Sequence, residues 1–193
     1  MRKQPRQARS RATVAAIVEA GARILGRGGW TAFNTNAVAA LAGVSIGTLY
    51  QYFPNRLALV EAVRCRHFEE VLAVIHGVAS AGDTPRDRIQ ALVSGMIAVH
   101  GASPELHRAL LEEAPRGLHV SPAEQAFERA YFAAYERILL QVSRRRKRPA
   151  LHAGARVLSA AIEGAIHDAA RCRALDSTAF RTELEALVAG YLR

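Results

Sequence analysis

The sequence of 193 residues has few of the features that mark several common classes of protein. Its two cysteines, Cys65 and Cys172, lie far apart and form no C-x-x-C pair, so we expect free thiols in a reducing compartment. No apolar run approaches the roughly 18 residues of a membrane span, and the basic opening MRKQPRQARSR has no apolar signal segment. We therefore expect a cytoplasmic protein with no membrane partner.

The sequence also has no segment in which polar and apolar residues alternate for long enough to predict a strand. Apolar residues recur at helical spacing instead, and the first such stripe ends at the apparent breaker Gly26-Arg27-Gly28-Gly29. Two later helices begin at capping boxes, Thr84-Pro85-Arg86-Asp87 and Ser121-Pro122-Ala123-Glu124. We predict an all-α chain of about nine helices, with two short ones between residues 35 and 53.

Acidic residues are scarce in the N-terminal part of the chain. The first 56 residues contain eight Lys and Arg residues and one acid, Glu19, and so carry most of the net charge of +9. Such a concentration of positive charge favours a polyanionic partner, either nucleic acid or an anionic membrane surface. The basic residues before Ser10 could form an arm that reaches the minor groove or a nearby phosphate, and a solvated tail is the equal alternative.

The pentapeptide Gly43-Val44-Ser45-Ile46-Gly47 matches the G-x-S-x-G pattern of a hydrolase nucleophile elbow. That elbow is a strand-to-helix turn, and the residues before Ser45 are helical in composition. Two short helices around a glycine turn explain the stretch better, with Asn34 capping the first helix and Ser45 capping the second. This arrangement is typical of a helix-turn-helix, whose second helix enters the DNA major groove.

The second of these helices carries groups suited to DNA. The hydroxyls of Thr48, Tyr50 and Tyr52 can donate to phosphate oxygens, and Gln51 can pair bidentately with an adenine edge. Packing of the tyrosines against neighbouring helices is the competing interpretation. The run WTAFNTNAVAALAGVSIGTLYQYFPNRLAL, residues 30–59, resembles the DNA-binding signature of the TetR family of bacterial transcriptional repressors. The matching residues are Ala39, Ala42-Gly43-Val44-Ser45, Gly47-Thr48-Leu49-Tyr50, Tyr52-Phe53 and Leu59.

The resemblance implies an N-terminal three-helix DNA-binding domain, residues 1–54, and a helical effector-binding and dimerisation domain, residues 55–193. It also implies a ligand-responsive repressor without enzymatic activity or cofactor, which binds a pseudo-palindromic operator as a homodimer and is released by a small molecule. The DNA-contacting positions that it implies are Thr35, Asn36, Ile46, Gly47, Thr48, Tyr50, Gln51, Tyr52 and Arg56. Three positions depart from the usual pattern: Asn34 replaces the first threonine of a Thr-Thr pair, Ile46 a polar residue, and Arg56 a lysine.

For the C-terminal part, the resemblance implies an effector cavity among the helices and dimerisation through the last two long ones. The small residues between Val157 and Ala170 favour close helix contact, either with a second copy or inside one subunit. Apolar surface with a few polar tips predicts an apolar or aromatic effector. The predicted lining residues, each of which could equally be ordinary core, are Met96, His100, Phe127, Tyr131, Tyr135, Ile162 and His167. A helix over about residues 55–77 is predicted to be the only long element that joins the DNA-reading helices to the rest of the chain.

The seven histidines include no metal-binding spacing, so we expect no metal site. The run Arg144-Arg145-Arg146-Lys147-Arg148 is predicted to be a solvated helix end, with a second nucleic-acid patch as the alternative. Two other functions stay open at this point. One is a sequence-independent architectural DNA binder, and the other is a hydrolase that uses Ser45.

Overall fold

The computed structural model describes residues 8–80, 84–115, 122–142 and 148–192. Within these ranges the chain is helical, with short connections and no strand, as predicted. Nine α-helices and one π-helical turn, Ala109–Glu113, make up this part of the chain. The α-helices are α1 (Ala8–Ala32), α2 (Thr35–Leu41), α3 (Ile46–Tyr52), α4 (Arg56–Ser80), α5 (Pro85–Gly101), α6 (Pro104–Arg108), α7 (Pro122–Val142), α8 (Arg148–Arg171) and α9 (Thr178–Leu192).

The chain forms two compact units, both of which are discontinuous in sequence. Unit 1 consists of Met1–His67 and Ser103–Ser121, and unit 2 consists of Phe68–Ala102 and Pro122–Arg193. The units therefore divide within α4, and again directly after α5. The predicted boundary between functional domains at residues 54 and 55 is a different division and stays a prediction.

Unit 1 is built around α1, which packs against α2, α6 and the π-helical turn, while α2 packs against α3. Its core contains the fully buried side chains of Ile17, Leu25, Phe33, Leu49 and Phe53. Ile17 and Leu25 repeat at helical spacing in α1, Leu49 lies on the inner side of α3, and Phe33 and Phe53 directly follow the ends of α1 and α3. On α2, Val38 and Ala39 are buried, so burial of apolar surface holds the three helices together.

Unit 2 packs α7 against α8, α8 against α9, and α5 against both α8 and α9. The inner face of α5 is buried at the positions that the sequence pattern predicts: Ile89, Leu92, Val93, Met96, Ile97 and His100. Thr84 caps α5, since its side-chain oxygen accepts a hydrogen bond from the Asp87 amide at 3.2 Å. The N-cap predicted there is confirmed.

α1 kinks within the predicted breaker: residues 26–28 remain helical, and Gly29, the last residue of that run, leaves the helical conformation with φ 64° and ψ −168°. The short helix that follows Ser103 continues into a π-helical turn, and the Ser103 side chain makes no cap hydrogen bond. A wider helical turn of this kind has no simple periodic signal, so the sequence pattern did not predict it.

Several predicted features fall outside the described residues: Arg2, Lys3 and Arg6 of the N-terminal arm, the Ser121 cap, and residues 144–147 of the basic run. Among the described helices, none combines the length and the apolar character that crossing a membrane requires.

Candidate functional site

The turn between α2 and α3 is fixed by hydrogen bonds within the segment itself. The Asn34 side chain accepts from the Ala37 amide at 2.8 Å, and Ser45 Oγ accepts from the Thr48 amide at 3.0 Å. Gly43 supplies the turn between the helices with φ 68°, in the left-handed region that favours glycine. Both N-caps are confirmed, and the Ser45 hydroxyl is therefore occupied at the start of a helix.

α3 divides into a buried and an accessible side. Leu49 and Phe53 are completely buried, whereas Tyr50 is 43% exposed and Ile46 is 38% exposed. Gln51 and Gly47 are also exposed, and a Cβ added at Gly47 would meet only Ser45 Oγ, at 3.8 Å. The side of α3 that faces solvent thus carries the amide, hydroxyl and methyl groups that can meet base edges and phosphates.

The predicted contact residues of α2 lie beside those of α3. Thr35 Oγ1 and the Tyr50 hydroxyl are 3.1 Å apart and share a hydrogen bond, which joins the start of α2 to the middle of α3. Asn36, next to Thr35, is exposed. We call the surface made by the exposed or half-exposed members of this set the reading surface; its residues are Thr35, Asn36, Ile46, Gly47, Thr48, Tyr50 and Gln51.

Two other predicted contact residues are more constrained than the sequence suggested. Tyr52 is only 8% exposed and packs in the core of unit 1. Its ring therefore packs against neighbouring helices, which was the alternative to DNA contact. The Arg56 guanidinium lies 3.6 Å over the Trp30 ring and donates to the Trp30 carbonyl at 2.9 Å. Its orientation is therefore set by Trp30, and its contact with phosphate stays a prediction.

The acid of the N-terminal part is paired with arginines. Glu19 accepts from Arg66 at 2.7 Å and from Arg23 at 2.9 Å. These hydrogen bonds, first the one from Arg66, lower the pKa of the Glu19 carboxyl from its ordinary value. The ionised carboxylate is therefore matched by positive charge, which leaves the basic surplus of this part of the chain available to a polyanion.

In unit 2, the structure brings the predicted effector residues into one region of the core. Met96, Tyr135 and Ile162 are completely buried, and the ring of Phe127 lies 5.3 Å from that of Tyr131. The rings of Tyr131 and Tyr135 are 4.9 Å apart, and those of His100 and His167 are 5.6 Å apart. Met96, Tyr131, Tyr135 and Ile162 therefore belong to one buried cluster with Phe127 packed against it, and His100 and His167 pair with each other.

Polar groups within this core interact with one another. The Tyr131 hydroxyl donates to Glu163 Oε1 at 2.6 Å, whereas the buried Tyr135 hydroxyl makes no hydrogen bond within the described residues. Burial raises the pKa of both phenols, and the nearby Glu163 carboxylate adds to the effect. Burial also lowers the pKa of His100 to about 4, against the opposing effect of its hydrogen bond to the Met96 carbonyl at 2.8 Å.

Three features of the structure were not predicted. Glu163 was missed, although it is the only acid between Arg148 and His167, within a segment of small and apolar residues that it interrupts. A groove of about 380 Å³ was also missed; it is lined by Gln125, Glu128, Arg129, Phe132, Ala133, Glu136, His152 and Arg156. In unit 1, His107 Nδ1 lies 3.0 Å from His67 Nε2, a pairing across 40 residues that spacing cannot reveal.

Comparison with known proteins agrees with this geometry. Residues 17–63 match the family described as bacterial regulatory proteins, tetR family, and residues 84–192 match the tetracyclin repressor-like C-terminal domain. The HTH-type transcriptional repressor KstR of Mycolicibacterium smegmatis is 35% identical over 94 residues, which is 49% of this chain and 46% of that protein. The chain thus aligns with about half the length of this relative.

Solved structures share the fold at low identity. A TetR-family transcriptional regulator from Streptomyces coelicolor has a TM-score of 0.69 and 21% identity, with 93% of this chain and 97% of that chain covered. The transcriptional regulator FadR from Bacillus subtilis, solved in complex with stearoyl-CoA, has a TM-score of 0.64 and 17% identity, with 92% and 95% covered. Likeness at these identities concerns the fold alone.

The family match also corrects the alternative of a hydrolase that uses Ser45, since the helix-turn-helix segment that contains Ser45 is the part matched as a regulator. A nucleophile elbow needs a strand before the serine, and the described residues before Ser45 form α2 and a turn. The two family matches together span most of the chain. The chain belongs to the tetR family of bacterial regulatory proteins, which are transcriptional regulators and not enzymes.

Proposed function

We propose that the chain is a repressor that binds a pseudo-palindromic operator as a homodimer and is released by a small apolar or aromatic effector. The observation that carries this proposal is the reading surface, where capped helices hold exposed hydrogen-bonding groups on a basic unit. The likeness to KstR, a named repressor, over about half its length supports repression over activation. A cytoplasmic location follows from an operator on the bacterial chromosome.

On the reading surface, each group has a role that follows from its chemistry. Gln51 reads an adenine edge, Ile46 meets a thymine methyl, and the hydroxyls of Thr35 and Tyr50 bind phosphate oxygens. Arg56, held by Trp30, adds charge at the start of α4, and the Tyr52 hydroxyl contributes only through its accessible edge. Asn36, Gly47 and Thr48 complete the contact through their exposed polar groups and backbone.

An apolar stripe on unit 2 supports the homodimer. Val157, Ala160 and Gly164 of α8 follow helical i, i+3, i+7 spacing and are all exposed, while Ser159 and Ala169 of the same helix pack inside the subunit. On α9, Leu187 is half exposed. A second copy that covers these faces would bury apolar surface and place two reading surfaces on half-sites about 34–36 Å apart.

The core around Tyr131 supports an effector that is apolar with one polar group. A buried hydroxyl without a partner costs about 1–3 kcal/mol, so a ligand carbonyl or hydroxyl that bonds to Tyr135 would gain that interaction. His100, neutral at pH 7 because burial lowers its pKa, can orient the same polar group without a charge. FadR of B. subtilis binds stearoyl-CoA, which makes an acyl-CoA the first molecule to test.

Selection of binding sites from random duplex DNA tests the reading function. The full chain is expected to enrich a two-fold symmetric site and to bind it roughly 10³-fold or more tightly than random duplex at the same salt concentration. Equal binding to selected and random duplex would instead indicate a sequence-independent architectural binder.

Titration of the operator complex with stearoyl-CoA tests the effector class, with free coenzyme A as the matched control. Release by the acyl-CoA alone would assign an acyl chain. By linkage, operator DNA must then weaken binding of the acyl-CoA by the same factor. Failure of both molecules would exclude acyl-CoA, and thermal unfolding with apolar and aromatic compounds would then identify the class.

A further inference from the structure

The chain segment that directly follows α5 packs against α1 in unit 1. α6 and the π-helical turn belong to unit 1 and pack along α1. At the end of the π-helical turn, Glu113 Oε2 accepts a hydrogen bond from the backbone amide of Trp30 at 2.9 Å. α4 stays the only long helix that was predicted to link the reading helices to the rest of the chain, and this short segment, which follows α5 along the chain, is a second connection to unit 1.

The Glu113 carboxylate is held in place from two sides. Arg108 donates to Glu113 Oε1 at 2.5 Å, while the Trp30 amide bonds to the other oxygen. The hydrogen bond from the Trp30 amide lowers the pKa of the Glu113 carboxyl, and the one from Arg108 lowers it further. The carboxyl is therefore ionised at neutral pH. Charge-assisted hydrogen bonds of this kind are stronger than neutral ones and fix direction as well as distance.

Gly29 is matched to this carboxylate. Its backbone, with φ 64° and ψ −168°, lies in a region that only glycine adopts without strain. A Cβ at Gly29 would also collide with Glu113 Oε2. The conformation of α1 at Gly29 and the approach of Glu113 to the Trp30 amide therefore require the same small residue.

Trp30 contacts residues next to the starts of both α2 and α4. The Trp30 ring stacks on Phe33 with centroids 5.5 Å apart, and Phe33 is completely buried one residue before the cap of α2. On its carbonyl side, Trp30 accepts from Arg56, the first residue of α4. Arg64, further along α4, donates to the carbonyls of Ala114 and Pro115 at 3.5 and 3.4 Å.

We propose that Glu113 is a positioning residue for operator binding. Its carboxylate fixes the peptide group of Trp30, and through Trp30 it sets the start of α2 and of α4, and hence the orientation of the reading surface. This inference rests on the proposed DNA-reading function. Since the segment that carries Glu113 follows α5 directly, movement of α5 can reach the reading surface through Glu113 as well as through α4.

The test compares full-length Glu113→Ala and Glu113→Gln with Glu112→Ala. Glu112 is the matched control, an exposed neighbour whose ion pair with Arg108 is longer, at 4.0 Å. Trp30 is the sole tryptophan of the chain, so quenching of its fluorescence by acrylamide measures the solvent access of Trp30 in the absence of DNA. Operator affinity at constant salt is the second measurement, and far-UV circular dichroism shows whether each variant is folded.

Glu113→Ala is expected to increase tryptophan quenching and to lower operator affinity by about tenfold, the change that loss of one hydrogen bond to a charged group produces. Glu113→Gln keeps an acceptor for the Trp30 amide and should restore most of that affinity. Glu112→Ala should match the wild type in both measurements.

Equal quenching and equal operator affinity for Glu113→Ala and Glu112→Ala would overturn the proposal. If Glu113→Ala does not fold, Glu113→Gln decides. Its neutral amide oxygen is a weaker acceptor than the carboxylate, so a small rise in quenching together with a small loss of affinity supports the proposal. Values of both equal to the wild type, or a loss of affinity with unchanged quenching, would contradict it. If the wild type prefers no operator sequence, the proposed function fails, and the quenching comparison shows separately whether Glu113 fixes Trp30.

Discussion

The reading surface and the core around Met96, Tyr131 and Tyr135, proposed above as the effector site and called the effector core below, differ in how their residues are held. On the reading surface, Tyr50 and Gln51 project into solvent from a short helix whose start is fixed by a neighbouring side chain. In the effector core, Tyr131 and Met96 are buried among long helices that meet only through tertiary packing. Substitutions on the reading surface should therefore change binding with little effect on stability, whereas substitutions in the core change stability first.

The largest expected effect concerns a third region, the exposed stripe on α8. Gly164→Glu should produce monomers and abolish operator binding, because it places a charge where the second copy is proposed to pack. An added Cβ at Gly164 meets nothing within 4 Å, so the isolated subunit has room for the side chain. Analytical ultracentrifugation and operator titration measure both effects.

Gly77→Glu is the matched control for this experiment. Gly77 is also exposed in a helix, and an added Cβ there likewise meets nothing within 4 Å. A dimeric Gly164→Glu protein, or a monomer that keeps full operator affinity, would contradict the proposed interface.

The effector core should make the protein sensitive to acid through His100. The folded pKa of His100 is about 4, whereas an unfolded histidine binds its proton near pH 6.5. Stability is therefore complete above about pH 6.5 and is lost as the pH falls toward 4, by about 3 kcal/mol for this difference in pKa. Urea unfolding at pH 7, 5.5 and 4 measures the loss.

His100→Asn should flatten this pH dependence, since the asparagine amide can keep the hydrogen bond to the Met96 carbonyl without binding a proton in this range. The surface substitution His152→Gln serves as the histidine control. Parallel pH profiles for the wild type and His100→Asn would show that His100 is not the group responsible.

On the reading surface, Gln51→Ala should reduce discrimination at one base pair of each half-site by about 1–3 kcal/mol. Tyr50→Phe should instead weaken binding to every duplex, because it removes a hydroxyl assigned to phosphate and its hydrogen bond with Thr35. Titration against operators with single base changes separates the two. An unchanged preference profile for Gln51→Ala would remove its base-reading role.

The smallest expected effect is that of Tyr131→Phe, which keeps the ring and removes the hydrogen bond to Glu163. A loss of about 1.5 kcal/mol in the free energy of unfolding is expected, the lower end for a hydrogen bond to a charged group, with operator affinity unchanged. Tyr131→Ala is less informative, because a large-to-small change at a buried aromatic residue costs about 3–5 kcal/mol and obscures any effect on effector binding.

Thermal unfolding measures this loss, and Tyr191→Phe is the control, because the bond from its hydroxyl to the Gly154 carbonyl is longer, at 3.4 Å. A fall in operator affinity for Tyr131→Phe would show that the core around Tyr131 and the reading surface do not act independently.

Interactions between residues close in sequence were predicted correctly, whereas those between distant residues were not. Asn34 and Ser45 were predicted as caps because each bonds to an amide three residues away. The partners of Trp30 were not predicted, because Glu113 lies 83 residues further along the chain. The break of α1 at Gly29 was predicted for the related reason that a run of glycines has low helix propensity, which is a local property.

The sequence by itself determined the helical fold, the two capped helices and the basic character of the DNA-reading part, because periodicity, capping and charge act over a few residues. Only the tertiary structure decided that Tyr52 is buried, that Arg56 is held against Trp30, and that Tyr131 bonds to Glu163. These outcomes depend on which helix faces meet. The pairing of helix faces is set by the burial of apolar surface over the whole unit, so a short stretch of sequence cannot predict it.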